Sequence, residues 1–296
     1  MALAQATLTE QALARLFPDL ETERRVFVTR GDQKLDLSLL RAGEAGGKGL
    51  FTKELEDALL GGTIDVAVHS LKDLPGHNPA NLQVTAVLER APTADVLITQ
   101  KPGGFDELPQ GARLGTSSVR RARQIQWLRP DLQVEEWRGN VPTRLRKLGE
   151  REDVAAIVLA EAGLRRLGFD ISGDTLLHET HQFYVDSLAG RLLPAIGQGA
   201  IALQSRSDRE EVTTLLRSIN HEPTFICVRA ERELQRLLAG DCALPVGVRA
   251  KLDDAHLSLT GILFGEEGKP PATAEASGEA SQPESIAAEL FRLLTK

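Results

Sequence analysis

The sequence predicts an α/β protein with two doubly wound domains and a small α+β domain at its C-terminal end. In the first half of the chain, short apolar runs alternate with amphipathic helical stretches, and this alternation indicates βαβ units and parallel sheets. From residue 223 onward, the chain instead has one strong helix, two strands and a closing helix. Because 296 residues is long for a single core, the length also favours two or three domains.

Three domains are predicted from this pattern. Domain 1 comprises residues 1–90 and 190–210, because the chain leaves the first unit and later returns to it. Domain 2, which is rich in arginine, comprises 91–189, and domain 3 comprises 211–296. The periodicity weakens at 171–188, which indicates a loop or crossover between units.

The elements of domain 1 follow from hydrophobic spacing and helix stop signals. Residues 2–16 have the spacing of an amphipathic helix, and 51–60 form a helix that Gly61 and Gly62 end. Apolar, strand-forming runs predict the strands of this domain at 25–29, 64–69 and 82–88.

The elements of domains 2 and 3 follow from the same signals. In domain 2, a turn rich in serine and threonine opens a helix at 119–128, and a second helix carries Arg144. In domain 3, a long helix at 223–238 is closed by Gly240, while the small, polar stretch 272–282 carries no element prediction. The remaining elements are strands at 94–99, 134–137, 155–159, 246–250 and 257–264 and a helix at 286–294.

A lysine and an aspartate follow the end of one predicted strand. The run at 64–69 predicts a parallel strand buried on both faces, and Pro75 stops its continuation beyond Lys72 and Asp73. Ligands of open α/β sheets bind outside the carboxyl ends of the strands, so this pair is predicted, with Ser70, to form a site. The alternative is an exposed ion pair, which contributes little. Because neighbouring residues of an extended segment point to opposite sides, the two side chains are expected to have different roles.

A second candidate site lies at the turn 115–118, which precedes the helix at 119–128. Its backbone N–H groups, its hydroxyls and the positive end of the helix dipole favour an anion, and Arg120 and Arg121 follow directly. A plain helix N-cap is the alternative, and it is compatible with an anion site.

The charge is unevenly distributed along the chain. Residues 113–166 contain eleven arginines and one lysine against seven Asp and Glu, a net charge of +5, whereas the whole chain has a net charge of −7. For any single arginine, a solvated helix face is the alternative. Because arginine suits bidentate binding of carboxylates or phosphates, its concentration in an acidic protein predicts a small polyanionic ligand.

Composition argues against several classes of protein. Aromatic residues make up 4% of the chain, so stacking platforms for single-stranded nucleic acid are scarce, and the net charge of −7 argues against nucleic-acid or anionic-membrane surfaces. The first 16 residues lack the regions of a signal peptide, and no run approaches the roughly 18 apolar residues of a membrane span. We therefore expect a cytoplasmic protein.

Two metal- or phosphate-binding motifs are rejected. The run 43–48 resembles a P-loop only faintly, because its glycine spacing is one residue short and Gly49 stands where Ser or Thr is needed, so a phosphate-handling enzyme loses its support. His178 and His181 lack further ligands for zinc and are expected to lie in a loop.

The two cysteines, too few for a disulfide framework, have different settings. Cys227 lies within the predicted helix at 223–238 and is expected to be a small core residue. Cys242 follows the helix stop at Gly240 and lies on a loop, where the residues alone leave open whether its thiol is inert or reactive.

Taken together, the motifs resemble those of the porphobilinogen deaminases, also called hydroxymethylbilane synthases. The resemblance covers nearly the whole chain in order, and the combination is specific although no single motif is. The matching runs are GGKGLF at 46–51, HSLKDLP at 69–75, GTSSVRR at 115–121, RGNVPTR at 138–144, GQGA at 197–200 and, like the cofactor loop of the family, DCALPVG at 241–247.

This resemblance implies a transferase of tetrapyrrole and heme biosynthesis. It would condense four porphobilinogen molecules head to tail onto a dipyrromethane cofactor, with release of ammonia, to give hydroxymethylbilane. The cofactor would be a primer joined by a thioether to Cys242. The implied fold has three domains, two of them like the lobes of periplasmic binding proteins.

The resemblance also implies roles for individual residues. Asp73 would be catalytic, because its carboxylate would stabilise the cationic azafulvene left when ammonia departs and would help to move protons. Lys72 would reach a substrate carboxylate, and arginines would hold the acetate and propionate groups of the growing chain. The substrate-binding set is Ser70, Lys72, Thr116, Ser117, Ser118, Arg120, Arg121, Arg138, Arg144, Arg166 and Gln198.

Further expectations concern partners and the start of the chain. The labile product would pass to uroporphyrinogen III synthase, and the enzyme would be a monomer without nucleic-acid or membrane partners. Residues 1–6 match the helix that follows the first strand of the family, so we expect that strand and its Arg-x-Ser motif to be absent from the sequence as given. Its loss would expose a sheet edge, which puts the activity of the chain as written in question. The segment 171–191 is longer than in the family pattern.

The competing interpretation is a two-lobed, non-enzymatic anion-binding protein. It shares the expected fold and would explain the arginine-rich cleft. It does not explain an acidic residue at a strand end together with a cysteine loop in a third domain. Ehrlich's reagent separates the two, because it colours a bound dipyrromethane.

Overall fold

Three separate sheets organise the protein in the computed structural model, which describes residues 1–27, 52–171, 173–238, 245–266 and 268–296. The strands are β1 (Ala67–Ser70), β2 (Leu82–Val87), β3 (Asp95–Thr99), β4 (Arg113–Gly115), β5 (Gln133–Glu135), β6 (Ala156–Ala160), β7 (Thr175–His178), β8 (His181–Ser187), β9 (Ile201–Arg206), β10 (Val246–Asp253), β11 (His256–Leu263) and β12 (Ala272–Glu279). The helices are α1 (Ala2–Leu16), α2 (Lys53–Leu60), α3 (Val119–Leu128), α4 (Val141–Glu150), α5 (Glu161–Arg166), α6 (Glu210–Ser218), α7 (Glu222–Leu237) and α8 (Pro283–Leu294).

The first sheet has the order β1–β9–β2, and with α1, α2 and α6 it forms lobe 1. Both pairings among its described strands are antiparallel, so the prediction of a parallel strand at 64–69 is wrong there. The chain forms the second sheet before it returns as β9, and it then enters the first sheet from the end opposite to that of β1 and β2. The pairings of β9 are therefore antiparallel. Burial along β1 alternates, with Ala67 and His69 buried and Val68 and Ser70 partly exposed, since only one face is fully covered.

The second sheet has the order β5–β4–β6–β3–β8–β7, and with α3, α4 and α5 it forms lobe 2. Strands β4, β5 and β6 are parallel, as the βαβ pattern predicts, whereas β3, β7 and β8 pair antiparallel. The expected loop at 171–188 is wrong, because β7 and β8 form a hairpin there. Leu176 and Phe183 bury one face of the hairpin while Leu177 is 70% exposed on its edge strand, which weakens the sequence pattern.

The third sheet is the antiparallel meander β10–β11–β12, which α7 and α8 cover to form the C-terminal unit. Its core includes Leu257 and Leu259 of β11 and Leu290 of α8, all with no exposed surface. The stretch 272–282, for which the sequence predicted no secondary structure, contains β12. Only Ala276 of that strand is buried, so it has almost no hydrophobic signal.

A buried ion pair joins the three units. Arg90, between β2 and β3, donates two 2.8 Å hydrogen bonds to the Glu231 carboxylate of α7. Glu231 also accepts hydrogen bonds from the backbone N–H groups of Gly197 at 2.8 Å and Ala250 at 3.3 Å. The connection between the lobes and the chain that returns to lobe 1 are thus both fixed to the C-terminal unit.

The α/β class with a small α+β unit at the C-terminal end is confirmed. The bounds of α1 and α3 match the predicted helices, and α7 matches within one residue. The predicted strand at 25–29 is not formed by residues 25–27, and its last two residues lie outside the described part. No helix within the described ranges is long and apolar enough to cross a membrane.

Candidate active site between the lobes

A cavity of about 1420 Å³ lies between lobe 1 and lobe 2. Ligand sites for single small molecules usually measure ~300–1,000 Å³, so this space suits a larger ligand. Lobe 1 contributes α1, the end of β1 and the loop 197–200, and lobe 2 contributes the N-terminal ends of α3 and α4 together with α5.

Nine residues of the predicted site line this cavity. Among the described residues, Thr116, Ser118 and Arg120 are predicted site residues that the structure does not bring to it. Cys242 and the glycine-rich run at 46–51 lie outside the described part. The nine lining residues are Ser70, Lys72, Asp73, Ser117, Arg121, Arg138, Arg144, Arg166 and Gln198.

The catalytic candidate lies on a single 3₁₀ turn, Leu71–Asp73, at the end of β1. Gln5 of α1 donates a hydrogen bond from its Nε2 to the Oγ of Ser70 at 2.7 Å. Ser70 directly precedes this turn, so the contact with Gln5 connects α1 to the start of the turn that carries Asp73.

Asp73 and Lys72 perturb one another inside the cavity. Both side chains are exposed to the cavity, whose walls are protein. The partial loss of bulk solvent there raises the pKa of the Asp73 carboxyl above its ordinary value, while the charge of Lys72 and the Ser70 hydroxyl oppose the rise. It lowers the pKa of the Lys72 ammonium, which the Asp73 charge opposes. A carboxyl with a raised pKa in a cleft is a candidate for proton transfer.

The loop 197–200 is shaped by two glycines. Gly197 has a φ of +68°, and a Cβ there would lie 2.6 Å from the Leu71 side chain. Gly199 has a φ of +85°, and its Cβ would lie 2.4 Å from the Ala91 carbonyl oxygen. Any other residue would be strained and would clash, so the loop packs directly under the turn of Asp73.

Among the described residues, the side chains of two cavity arginines donate hydrogen bonds to backbone carbonyl oxygens and to no side chain. Arg144 donates from Nε to the Gly139 carbonyl at 2.7 Å, and Arg166 donates from Nη2 to the Gly199 carbonyl at 2.6 Å. Burial lowers the pKa of Arg144 to about 10, with the charges of Arg121 and Arg138 adding to the effect, so the side chain still carries its charge at neutral pH. An anion in the cavity would compensate these charges.

Asp95, the first residue of β3, accepts hydrogen bonds from three predicted site residues. Arg120 donates from Nη1 to Oδ2 at 2.8 Å, and Arg121 donates from Nε and Nη2 to Oδ1 at 3.1 and 2.7 Å. Gln198 donates from Nε2 to the same Oδ1 at 2.9 Å and to the Thr93 carbonyl at 2.7 Å. Burial alone would raise the pKa of Asp95, but the two arginines hold it well below its usual range.

Beyond Asp95, the side chains of Arg120 and Arg121 make different contacts. Arg121 also donates to the Val158 carbonyl at 3.0 Å and lines the cavity. Arg120 donates instead to the Leu193 carbonyl at 2.6 Å, on the chain that returns to lobe 1. The expected contact between Arg120 and a substrate carboxylate therefore finds no support in its placement, because its guanidinium contacts protein groups away from the cavity.

The turn before α3 acts mainly as a helix start. The Ser118 hydroxyl accepts from the backbone N–H of Arg121 at 3.4 Å, which makes Ser118 the N-cap. Thr116 is buried, and its hydroxyl accepts from the Ser118 N–H at 3.2 Å. Ser117 alone of the three lines the cavity, and it donates to the Trp137 carbonyl at 2.7 Å.

Sequence reasoning did not assign roles to Gln5 and Asp95. Gln5 is a polar residue on the buried face of α1, and Asp95 begins a strand of otherwise uncharged residues. A buried polar residue in an apolar pattern is a usable signal, because it needs a partner. The partner of Gln5 lies 65 residues away along the chain, and Arg120, a partner of Asp95, lies 25 residues away. Only the fold therefore identifies these partners.

His69, next to Ser70, gives a test of acid stability. Burial lowers the pKa of its imidazole to about 4, an effect to which the charge of Arg232 adds, although a hydrogen bond with Gln204 opposes it. The unfolded chain therefore binds one more proton than the folded chain between pH 6.5 and 4, so the free energy of unfolding falls as the pH falls through this window. We expect that the free energy of unfolding of His69→Gln falls by roughly 3 kcal/mol less over this pH window than that of the unchanged protein.

The measurement is urea unfolding at pH 7, 5.5 and 4.5. His256 begins β11 and is exposed, so His256→Gln is the matched control and should keep the pH dependence of the unchanged protein. An equal pH dependence in His69→Gln and the control would contradict the prediction.

Comparison with known proteins gives a consistent result. The family model "Porphobilinogen deaminase, dipyromethane cofactor binding domain" matches residues 1–214, and "Porphobilinogen deaminase, C-terminal domain" matches residues 225–295.

Within the described part, no group of three or more His, Cys, Asp and Glu is arranged to hold a metal ion.

Named relatives agree with the family models. Porphobilinogen deaminase of Syntrophomonas wolfei subsp. wolfei is 41% identical over 295 residues, covering 99% of this chain and 92% of that protein. Porphobilinogen deaminase of Shouchella clausii is 46% identical over 270 residues, covering 91% and 83%. The solved periplasmic domain of B. pertussis BvgS aligns at 16% identity with a TM-score of 0.39, over 82% of this chain and 39% of that chain. The two family models and the two named deaminases place the chain in the porphobilinogen deaminase family.

Proposed function

We propose that this chain condenses four porphobilinogen molecules head to tail onto a covalent dipyrromethane primer, releasing ammonia and giving hydroxymethylbilane. The observation that carries the proposal is the cavity with Asp73 on one lobe and arginines on the other. Membership of the family disfavours the alternative of a non-enzymatic anion-binding protein.

The residues of the cavity fit a dipyrromethane group. Each pyrrole carries an acetate and a propionate, so the group and the chain grown on it are strongly anionic. Arg144 and Arg166 have backbone carbonyls as their hydrogen-bond partners among the described residues, and buried cations of this kind are stabilised by carboxylates. We infer that Ser117, Arg121 and these two arginines hold the carboxylates of the group. When bound, the dipyrromethane supplies the pyrrole carbon to which the first substrate is joined.

In this proposal Asp73 acts on the substrate directly. The carboxylate faces the positive charge that develops on the pyrrole when ammonia leaves, and it stabilises that charge electrostatically. Its raised pKa also suits it to accept and return a proton between successive additions. Lys72, on the adjacent position of the same turn, binds an acidic arm of the substrate.

The remaining roles are proposals of the same kind. Three domains are proposed with the predicted bounds 1–90 and 190–210, 91–189 and 211–296. Helix α6 falls in the last range by sequence although it packs on the sheet of lobe 1. Ser70 and Gln198 are proposed to position the substrate, Arg138 to contact its carboxylates, and Thr116, Ser118 and Arg120 to shape lobe 2 around it. We further propose a monomer in the cytoplasm that passes its labile product to uroporphyrinogen III synthase.

The attachment point of the primer gives the sharpest test of the function. We propose that Cys242 forms the thioether, and we expect Cys242→Ser to be purified without covalent pyrrole and without porphobilinogen consumption. Intact mass measurement would give the unmodified mass of the chain, and Ehrlich's reagent would give no colour.

Cys227→Ala is the matched control, because Cys227 is the buried cysteine of α7. The control should keep both the adduct mass and the colour. An unmodified mass in the unchanged protein would contradict the function, whereas an adduct that survives Cys242→Ser would contradict only the attachment point.

A further inference from the structure

Trp137 is a buried tryptophan that contacts both segments by which lobe 2 presents its helix starts to the cavity. It is 3% exposed and belongs to a core cluster with Leu145 and Leu148 of α4. Its indole Nε1–H donates to the Arg144 carbonyl at 3.2 Å. Its own carbonyl accepts the hydrogen bond from the Ser117 hydroxyl at 2.7 Å. Ser117 and Arg144 both line the cavity, so one residue contacts two parts of its wall.

The turn that carries Ser117 also packs directly on the indole ring. A Cβ at Gly115 would lie 2.7 Å from Cδ2 of Trp137 and 2.8 Å from its Cγ, closer than a real side chain can approach. Glycine therefore allows the backbone two residues before Ser117 to touch the ring. The guanidinium of Arg151 lies 5.3 Å from the ring centroid and adds a cation–π contact.

These contacts go beyond what a core position requires. An apolar side chain would fill a core, whereas a buried indole N–H costs free energy unless it finds a partner. The partner here is the backbone of the residue whose guanidinium lines the cavity. The ring is rigid and has only two side-chain torsions, so elements that contact its edges are fixed relative to one another.

We propose that Trp137 is a positioning residue that fixes the turn carrying Ser117 against the helix carrying Arg144, so that both side chains bind carboxylates of one ligand. The proposal rests on the proposed function, in which these two residues hold carboxylates of the dipyrromethane group and of the chain grown on it. Trp137 does not itself line the cavity and acts only through its two neighbours. Holding them in place before the ligand arrives lowers the cost of ordering them on binding.

The first test separates binding from chemistry in steady-state kinetics. Trp137→Phe keeps an aromatic ring and removes the indole N–H. We expect KM for porphobilinogen to rise by about threefold to tenfold while kcat stays within a factor of two, because carboxylate binding weakens and Asp73 on lobe 1 is untouched. Trp127→Phe is the matched control, since Trp127 is 51% exposed on α3, and it should leave both constants unchanged.

Two further variants test the route by which Trp137 acts. Gly115→Ala leaves the indole in place but separates the turn from the ring, so it should raise KM in the same sense. In an Arg144→Gln background, Trp137→Phe should raise KM no further, because the indole N–H acts through Arg144.

A second measurement needs neither turnover nor a substitution at Trp137. The chain has two tryptophans, so its ¹⁵N-indole NMR spectrum has two N–H signals, and the signal of Trp127 is identified by its loss in Trp127→Phe. We expect benzene-1,3,5-tricarboxylate, a small polycarboxylate, to shift the Trp137 signal and to leave the Trp127 signal in place. The shift should be lost in Arg144→Gln.

The outcomes divide as follows. A KM increase in Trp137→Phe that disappears in the Arg144→Gln background supports the proposal. An unchanged KM with a lower urea midpoint overturns it, because Trp137 would then only fill the core, and so does an equal KM increase in both backgrounds. If the unchanged protein does not consume porphobilinogen, the proposed function is contradicted and the indole signal decides. A shifted Trp137 signal then supports the positioning role, and an unmoved one overturns it.

Discussion

Asp73→Asn is expected to lower kcat for porphobilinogen consumption by about three orders of magnitude or more. Asparagine has nearly the same shape as aspartate. The substitution therefore removes the negative charge and the ability to carry a proton while it preserves the turn Leu71–Asp73. The measurement is the initial rate of porphobilinogen consumption at saturating substrate, with intact mass to establish that the primer is present.

The expected loss is large because of where the carboxylate lies. The side chain faces the cavity between the lobes, where protein replaces part of the bulk water and a charge interacts with a developing cation more strongly than it would in bulk water. In the described residues, the other predicted site side chains that line the cavity and carry charge are cations, namely Lys72 and the arginines. None of these can stabilise a positive pyrrole, so nothing in the predicted set replaces Asp73.

Asp57→Asn is the control for the loss of one negative charge. Asp57 is exposed on α2 and does not line the cavity among the described residues. We expect its kcat to stay within a factor of two of the unchanged enzyme. A kcat within tenfold in Asp73→Asn, measured on protein that carries the primer, would remove Asp73 from the mechanism.

The sequence predicted the residues of the cavity better than their contacts. The strand end at Asp73 and the arginine-rich segment were both recognisable because chemistry of this kind depends on residue type and local order. Ser117, Arg121 and Arg144 lie far from Asp73 along the chain, yet motif and charge together placed them in one site. Nine of the twelve predicted catalytic and substrate-binding residues line the cavity.

What the sequence did not predict depends on pairing across long separations. Arg120 and Arg121 are adjacent and chemically identical, but one lines the cavity and the other contacts the Leu193 carbonyl, because a helix turns successive side chains by about 100°. The antiparallel direction of β9 could not be read from alternation alone, since a strand that returns after a second lobe has no local mark of its direction. The pairing of Asp95 with these two arginines could not be predicted for the same reason, because nothing local marks it as their partner.

Asp95→Asn is expected to lower the free energy of unfolding by about 3–5 kcal/mol. The carboxylate has no exposed surface and compensates two guanidinium groups that are 5% and 8% exposed. Removing its charge leaves two buried cations without a counterion, and the new amide N–H₂ group faces donors. Both tryptophans of the chain, Trp127 and Trp137, belong to lobe 2, so their fluorescence during urea unfolding reports on this lobe.

Asp153→Asn is the matched control, because the same pair of interactions occurs there at the surface. Asp153 contacts Arg113 at 2.8 Å and Arg151 at 2.6 Å, but all three side chains are 40–50% exposed. Water screens such contacts, so we expect little change in the unfolding midpoint. If Asp95→Asn and Asp153→Asn lost equal stability, burial would not be what makes the Asp95 site important. Arg120→Met added to Asp95→Asn should recover part of the loss, since it removes one of the two uncompensated charges from the same buried space.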